Sequence, residues 1–309
     1  MARAFDVLGF GALAVDDILY VDRPLCAGKG KVTKRVCDHG GNVATALVAV
    51  ARLGGRAAFI GWLGNPPEDV GGRELERQGV STGFAPRHAD AAPIRSVITV
   101  GPDGERFIAY DDDVLHGTSP DLPDAVLAQA PVLLIDGYAV HSEAAVARAR
   151  RSGLSIVADI EWTIGSASDR ILSLADHLVL PIAFARSCLK EDDPQVLLEA
   201  LWSPDRSAVV LTDGERGSYL RQRGDPVFWH VPAYRVQAVD TTGAGDCFHG
   251  AYALALAEGG SPLDCVIFAA TAAAISVTSH GGRRGLPDRA MCLSWMAGEH
   301  APVPVPLQA

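Results

Sequence analysis

The 309-residue sequence lacks several features that would mark particular classes of protein. None of its six cysteines forms a C-x-x-C pair, which argues against a zinc site or a disulfide framework and favours reduced thiols. The longest weakly polar stretch, Cys265–Val277, has 13 residues, whereas a membrane-spanning helix needs about 20. Residues Met1–Asp6 do not begin the apolar run of a signal peptide. We therefore predict a soluble, cytoplasmic protein with no membrane partner.

The sequence also contains fewer basic than acidic residues. The sequence has 27 Lys and Arg against 37 Asp and Glu, a formal net charge of −10. This balance argues against a nucleic-acid partner held by a broad basic surface. The sequence contains no P-loop motif, which excludes a P-loop kinase. The glycines of Gly9–Ala14 are followed by a predicted strand, whereas a dinucleotide-binding fingerprint requires a helix at that point.

Short apolar runs alternate with helical segments through most of the chain. The run Val132–Ile135 is apolar throughout, as expected for a strand covered on both faces. The fold class is therefore predicted to be α/β, a three-layer α/β/α core with a mostly parallel sheet. The predicted strands are Phe5–Gly11, Arg56–Gly61, Val132–Asp136, Ser155–Ile160, His177–Pro181 and Ala208–Thr212, and the predicted helices are Asn42–Leu53, Val70–Gln78, Ser142–Arg151, Pro194–Trp202, Gly245–Glu258, Pro262–Val277 and Asp288–Met296.

Two segments, Asp16–Cys37 and Pro93–Asp111, break this alternation with polar, strand-like patterns. The second predicts a hairpin that turns at Pro102–Gly104. We interpret the pair as a small β lid, at about residues 12–38 and 92–113 of a single domain spanning 1–309; an ordinary surface hairpin is the alternative. Because exposed edge strands seek partners, the lid sheet also suggests a homodimer.

The segment Asp240–Ala251 carries the clearest chemistry. Gly243, Ala244 and Gly245 are small enough to let successive N–H groups face one way, and a predicted helix follows them. Such a turn with a helix N-terminus makes an anion hole suited to a phosphoryl group. Asp246 stands beside the hole, where it either accepts a proton from an attacking hydroxyl or caps the helix. Spacing alone leaves both roles open.

The stretch Asp240-Thr-Thr-Gly-Ala-Gly-Asp-Cys-Phe-His-Gly250 closely resembles the signature of the PfkB, or ribokinase-like, family of carbohydrate kinases. The resemblance extends over essentially the whole chain. It implies ATP-dependent phosphotransfer to a hydroxyl of a sugar or sugar derivative, with Asp246 as general base and the N–H groups of Gly243–Gly245 stabilising the transferring group. The alternatives are a nucleoside kinase of the same family and a catalytically weak sugar- or nucleotide-binding regulator.

The resemblance also implies binding residues. Segments Gly11–Asp16 and His39–Thr45 resemble the family's substrate segments, Leu211–Gly217 resembles its nucleotide loop, and Gly281–Gly285 lies near its cation site and adenine pocket. It further implies K⁺ at Asp240 and the Thr242 carbonyl, and Mg²⁺ brought by ATP. The resulting substrate set is Asp16, Gly40, Gly41, Asn42 and Thr45, and the ATP set is Thr212, Asp213, Gly214, Gly217, Gly243, Gly245 and Gly282.

Two further substrate contacts are suggested by residue type. Lys29, in the basic cluster of the first lid segment, either contacts an anionic sugar group or lies solvated on an edge strand. Tyr138 either stacks on a sugar or closes the core. Of the adjacent Arg283 and Arg284, at most one is expected to act on phosphate or adenine, because neighbouring side chains rarely face the same way.

The chain departs from the family pattern at some positions. Where many members carry Asn-x-x-Glu, this sequence reads Pro181–Ala185; the nearby Asp159 and Glu161 either supply carboxylates instead or end a strand as exposed acids. Thr45 stands where Asn is frequent. These substitutions resemble the sulfofructose-kinase branch. His249 is expected either to face the phosphate site or to pack behind the loop, and Cys247 to fill a small buried space.

Overall fold

The computed structural model describes residues 3–23, 28–102, 106–161 and 165–307. Its strands, in chain order, are β1 (Val7–Phe10), β2 (Ala14–Val21), β3 (Val32–Gly40), β4 (Ala57–Phe59), β5 (Val80–Ser81), β6 (Ile94–Val100), β7 (Arg106–Asp111), β8 (Val132–Asp136), β9 (Ser155–Asp159), β10 (His177–Pro181), β11 (Ala208–Thr212), β12 (Ser218–Gln222), β13 (Trp229–Val231) and β14 (Val305–Pro306). Its helices are α1 (Asn42–Arg52), α2 (Val70–Arg77), α3 (Asp124–Leu127), α4 (Glu143–Arg151), α5 (Gly165–Leu174), α6 (Ile182–Leu189), α7 (Pro194–Ala200), α8 (Ala244–Ala257), α9 (Pro262–Ser276) and α10 (Arg289–Met296), with 3₁₀ turns at Gly137–Ser142 and Gly214–Arg216.

A ten-stranded sheet forms the middle layer, in the order β14-β13-β12-β11-β10-β9-β8-β1-β4-β5. From β11 to β5 every neighbouring pair is parallel, and β12, β13 and β14 add an antiparallel edge. Successive residues of β8 point to opposite faces: Leu134 joins a core with α1, α8 and α9, and Leu133 joins a core with α3 to α7. The predicted three-layer α/β/α fold is confirmed.

All six predicted strands and all seven predicted helices have counterparts in the structure, with ends that differ by a few residues. The prediction missed α3, α5 and α6 and the strands β5, β12, β13 and β14. Most of these elements are short or lie at a sheet edge, where few apolar residues are needed and the pattern is weak. Helix α6 begins directly after β10, so its first apolar residues continue the run of the strand.

The weakly polar stretch Cys265–Val277 belongs to α9, whose inner face is buried in the core. The helix begins with a capping box in which Ser261 and Asp264 exchange hydrogen bonds, followed by Pro262 at its first position. Among the described residues, no helix combines the length and apolar character needed to cross a membrane.

The two segments that break the α/β alternation come together in a second, four-stranded sheet with the order β3-β2-β6-β7. Strand β2 pairs antiparallel with β3 and parallel with β6, and β6 pairs antiparallel with β7. Of the predicted turn at Pro102–Gly104, residues 103 and 104 lie outside the described residues. That this sheet acts as a lid stays a prediction.

Candidate active site

The N-terminus of α8 is built by glycines that leave room for a ligand. Gly243 caps the helix at φ 72°, in the left-handed region that favours glycine, and a Cβ there would lie 2.7 Å from the carbonyl oxygen of Gly282. A Cβ on Gly245 would meet no atom within 4 Å, so it borders open space. The first N–H groups of a helix have no partner within it and form its positive end. This turn can therefore bind an anion.

A cavity of about 490 Å³ lies on one side of this turn. Thr241, Ala244 and Gly245 line it at the start of the helix, and Thr212, Gly214 and Gly217 line it at the end of β11 and in the turn that follows. The rest of the lining is largely apolar and includes Tyr234, Val236, Ala238, Phe248, Ala270, Ala273 and Val277. The sequence motifs do not predict these residues, because they come from separate elements. An apolar pocket ending at a helix N-terminus suits a ligand with a flat base and a phosphate chain.

A second cavity, of about 350 Å³, lies between the same turn and the four-stranded sheet. Thr242, Gly243 and Asp246 face it from α8 and the preceding loop. The rest of the lining contains the predicted residues Asp16, Gly40, Gly41, Thr45, Asp240 and Gly282, His39 of the predicted substrate segment, and residues that were not predicted: Ile18, Tyr20, Asp38, Ile98, Ile108 and His280. The first turn of α8 thus separates the two cavities and borders both.

Asp246 is the carboxylate at this junction. Burial, together with the nearby Asp159 carboxylate, raises its pKa to about 8, whereas His249 and Arg283 oppose the shift. A carboxylate with a raised pKa is a stronger proton acceptor than an ordinary aspartate once it is ionised. Its position and basicity suit proton removal from a hydroxyl held in the second cavity.

Of the two positions expected for His249, facing the phosphate site or packing behind the loop, the structure shows the second. Its side chain is buried, with Nδ1 2.8 Å from the Gly245 carbonyl oxygen and Nε2 3.1 Å from that of Val179. Asp159 Oδ1 lies 3.5 Å from Nε2, and although burial alone would lower the pKa of His249, this carboxylate and the two carbonyls raise it. The imidazole therefore supports the anion-binding turn. Cys247 on the same turn is fully buried, as expected of a small core residue.

The loop that precedes α1 closes the second cavity. Gly41 caps α1 at φ 92°, and a Cβ there would lie 2.5 Å from the carbonyl oxygen of Ala12. Asp16 lies so close to Gly40 that a Cβ on the glycine would collide with the carboxylate. The Ser96 hydroxyl donates to Asp16 Oδ1, and burial raises the pKa of this aspartate. Asp16 is thereby placed to accept hydrogen bonds from hydroxyls of a ligand.

Three of the predicted substrate residues lie outside the walls of this cavity. The Asn42 amide donates to Asp159 Oδ2 at 3.2 Å. Tyr138 stacks on His116 with ring centroids 4.0 Å apart, and its hydroxyl donates to Asp112 at 3.0 Å. Lys29 is exposed in the stretch between β2 and β3. The side chains of Asn42 and Tyr138 are directed by partners far away in the sequence, which residue type does not reveal.

Two predicted ATP residues also differ from expectation. The Asp213 carboxylate forms a two-pronged pair with Arg216, with both distances 2.7 Å, and does not line the first cavity. Gly282 borders the second cavity and packs against Gly243, so it shapes the anion-binding turn from behind. Of the other predicted ATP residues, Thr212, Gly214, Gly217 and Gly245 line the first cavity, whereas Gly243, like Gly282, lines the second.

Asp240 joins the loop before α8 to the loop after α9. Its Oδ1 accepts the Thr242 N–H at 2.9 Å, and its Oδ2 accepts the Gly281 N–H at 3.0 Å. Carboxylate and carbonyl oxygens are the ligand type that hard cations take, and the Asp240 carboxylate and the Thr242 carbonyl both belong to this loop. Within the described ranges, no group of three or more His, Cys, Asp or Glu side chains is arranged to hold a metal ion.

Comparison with known proteins gives consistent matches over most of the chain. Residues 5–289 match the model of the pfkB family carbohydrate kinases. Fructokinase-1 of Oryza sativa subsp. japonica is 30% identical over 329 residues, covering 94% of this chain and 97% of that protein. Ribokinase of Haemophilus influenzae is 28% identical over 278 residues, covering 85% and 88%. A ribokinase structure from Thermotoga maritima superposes with a TM-score of 0.82 at 25% identity, covering 95% and 100%. These relatives do not place the chain in the sulfofructose-kinase branch, which stays a prediction.

Proposed function

The chain belongs to the pfkB family of carbohydrate kinases, and from this premise we propose that it transfers the γ-phosphoryl group of ATP to a hydroxyl of a sugar or sugar derivative. One observation carries the proposal: the first turn of α8 borders both cavities, with Ala244 and Gly245 facing one and Gly243 and Asp246 facing the other. A donor and an acceptor in these cavities would meet at an anion-binding helix N-terminus beside a basic carboxylate.

ATP is assigned to the larger cavity. Its base fits among apolar residues such as Val236 and Ala270, and its phosphates reach the N–H groups at the start of α8. Because the chain carries a net charge of −10, these local N–H groups, and not a basic surface, would bind the phosphates. Mg²⁺ accompanying ATP supplies neutralisation of charge on the phosphate oxygens.

The acceptor is assigned to the smaller cavity. Asp16 and the Gly40–Gly41 loop hold sugar hydroxyls and turn one of them toward Asp246. Asp246 takes the proton of that hydroxyl while the new oxygen–phosphorus bond forms and the bond to ADP breaks. The Gly243–Gly245 N–H groups stabilise the charge on the moving phosphoryl group. As a lid, the four-stranded sheet would exclude water and prevent hydrolysis of ATP.

A monovalent cation, K⁺ in our proposal, would be held by Asp240 and the Thr242 carbonyl. These groups belong to the loop that leads into the phosphate-binding turn, so an occupied site would stiffen that turn. Activity measured in K⁺ should exceed activity in tetramethylammonium at equal ionic strength. Equal activity in the two salts would contradict the cation site.

We propose further that two chains pair through the four-stranded sheet. Strand β7 is an edge strand, and Phe107, Ile108 and Tyr110 on it are 55%, 52% and 65% exposed. Sedimentation velocity should show a dimer that Tyr110→Lys weakens. A wild-type monomer at micromolar concentration would overturn this proposal.

The cytoplasmic location is also kept as a proposal, supported by the free thiols of Cys37, Cys188, Cys247, Cys265 and Cys292.

The function is tested by ADP release from MgATP in the presence of ketoses, aldoses, anionic sugars and nucleosides. Turnover with one or more sugars supports the proposal. Turnover with nucleosides alone favours a nucleoside kinase of the same family. Saturable binding of a sugar without turnover favours the catalytically weak regulator and contradicts the proposed kinase.

A further inference from the structure

Arg283 is a buried cation that phosphoryl transfer, as described above, does not use. The residue is 3% exposed, whereas the side chain of its neighbour Arg284 is 66% exposed. Burying a guanidinium costs free energy unless hydrogen bonds and opposite charges compensate. The contacts of Arg283 therefore indicate what its burial achieves.

The guanidinium of Arg283 forms hydrogen bonds with the loop Gly40–Thr45, which we call the acceptor loop because it borders the cavity assigned to the acceptor. Its Nε donates to Thr45 Oγ1 at 3.1 Å, and its Nη2 donates to the carbonyl oxygen of Gly40 at 2.7 Å. Both acceptors belong to residues that line the acceptor cavity. The third nitrogen, Nη1, is buried without a hydrogen-bond partner among the described residues. Arg283 thus lies behind the cavity wall and fixes two points of it.

The backbone immediately before Arg283 contacts the phosphate-binding turn. The Gly281 N–H donates to Asp240 at 3.0 Å, and the Gly282 carbonyl packs against Gly243. Three consecutive residues, Gly281–Arg283, therefore touch the phosphate-binding turn on one side and the acceptor loop on the other. The two walls come from segments about 200 positions apart in the chain, since Gly40 and Gly243 both border the acceptor cavity.

Four carboxylates near Arg283 favour its positive charge. Asp246, Glu74, Asp38 and Asp16 are the carboxylates whose charges favour the protonated guanidinium, against the effect of burial. An arginine can donate from separate nitrogens to Thr45 and Gly40 at once, whereas a lysine ammonium is a point donor on a flexible stem. The site therefore requires the fork of the guanidinium as well as its charge.

We propose that Arg283 is a positioning residue that ties the Gly40–Thr45 acceptor loop to the phosphate-binding turn and so sets the affinity for the sugar. The proposal rests on the proposed kinase function for its kinetic consequences. Its structural consequence, an acceptor loop ordered by Arg283, can be measured without turnover.

The kinetic test compares Arg283→Met, Arg283→Lys and Thr45→Val with Arg284→Met as the matched control. We expect Arg283→Met to raise the KM for the sugar about 10- to 100-fold, as loss of hydrogen bonds to a charged group implies, while the KM for ATP changes less than about twofold. Arg283→Lys should recover part of the loss. Thr45→Val should raise the sugar KM about 3- to 10-fold, and adding it to Arg283→Met should have little further effect.

An unchanged sugar KM in folded Arg283→Met, or equal increases in both KM values, would overturn the proposal. If Arg283→Met does not fold, Thr45→Val decides by the same criterion. If the wild-type protein phosphorylates no sugar, the proposed function fails and hydrogen exchange decides the role of Arg283. Amides of residues 40–46 should then exchange faster in Arg283→Met and Thr45→Val than in wild type and Arg284→Met, and equal exchange would overturn the proposal.

Discussion

Asp246 is an aspartate whose surroundings favour its protonated form, since burial and nearby carboxylates raise its pKa to about 8. A general base must be ionised to accept a proton. We therefore predict that kcat/KM is low in mild acid, rises with pH and levels off above about 8. A pH–rate profile from pH 6 to 9.5 with a saturating second substrate checks this. A flat profile over that range would contradict the role of Asp246 as the titrating base.

At Gly245 a substitution should affect stability and ATP binding in opposite directions. Gly245 lies in the first turn of α8, and a Cβ there would enter open space in the larger cavity, to which ATP is assigned in our proposal. Since alanine favours a helix over glycine by about 1 kcal/mol, Gly245→Ala should leave the melting temperature equal or higher. The added methyl group occupies the proposed phosphate site, so the KM for ATP should rise severalfold. Thermal denaturation and steady-state kinetics on one preparation test both; an unchanged KM for ATP would place the phosphates elsewhere.

At the residue scale, the sequence indicates candidate site residues most clearly where they are contiguous in the chain. The turn Gly243–Asp246 is contiguous, so its small residues and carboxylate could be recognised together. For Asp213 the sequence predicts an ATP contact, and for Tyr138 either a sugar contact or a core position; the structure shows their side chains in contact with Arg216 and His116. Arg283 and Arg284 are the same residue type in adjacent positions, and only the packing of distant segments buries one and exposes the other.

At the scale of elements, α8 has a left-handed glycine at each end. Gly243 has φ 72° and is crowded by Gly282, whereas Gly259, just past the C-terminus, has φ 89° and no neighbour within 4 Å of a Cβ. Gly259→Ala is therefore the matched control for Gly243→Ala, because in both variants the left-handed backbone destabilises the alanine by about 1–2 kcal/mol.

We predict that Gly243→Ala lowers stability more than Gly259→Ala and also lowers kcat, because relief of the collision with Gly282 moves the turn that is proposed to bind phosphate. Gly259→Ala should keep wild-type kinetics. Urea unfolding and kcat measurements on the two variants check the difference. Equal stability losses with wild-type kcat in both would show that the contact with Gly282 does not shape the turn.

Elements with strong periodicity were predictable, and weakly patterned ones were not. The continuous apolar run of β8 and the long apolar α9 indicate burial directly. Helix α5 has an even mixture of polar and apolar residues, and β14 has only two residues at a sheet edge. Pairing with β13, and not an intrinsic preference, makes β14 a strand.

At the scale of the whole molecule, the structure combines a three-layer α/β/α core with a second sheet built from two separated segments. Their polar alternation was visible in the sequence, but the parallel pairing of β2 with β6 was not, because it joins residues about 80 positions apart. This pairing helps to place Asp16 in the lining of the cavity that Asp246 also borders. The acceptor cavity is thus a product of tertiary structure, and its lining of Ile18, Ile98 and His280 could not be read from any motif.

The central claim is that Asp246 removes the proton of the acceptor hydroxyl at the junction of the two cavities. Asp246→Asn preserves the shape of the side chain and removes its basicity, so the most direct measurement is kcat of this variant together with its affinity for ADP. The account predicts that kcat falls about 10²- to 10⁴-fold while the Kd for ADP changes less than about threefold. A kcat within about threefold of wild type in a folded, ADP-binding variant would contradict it.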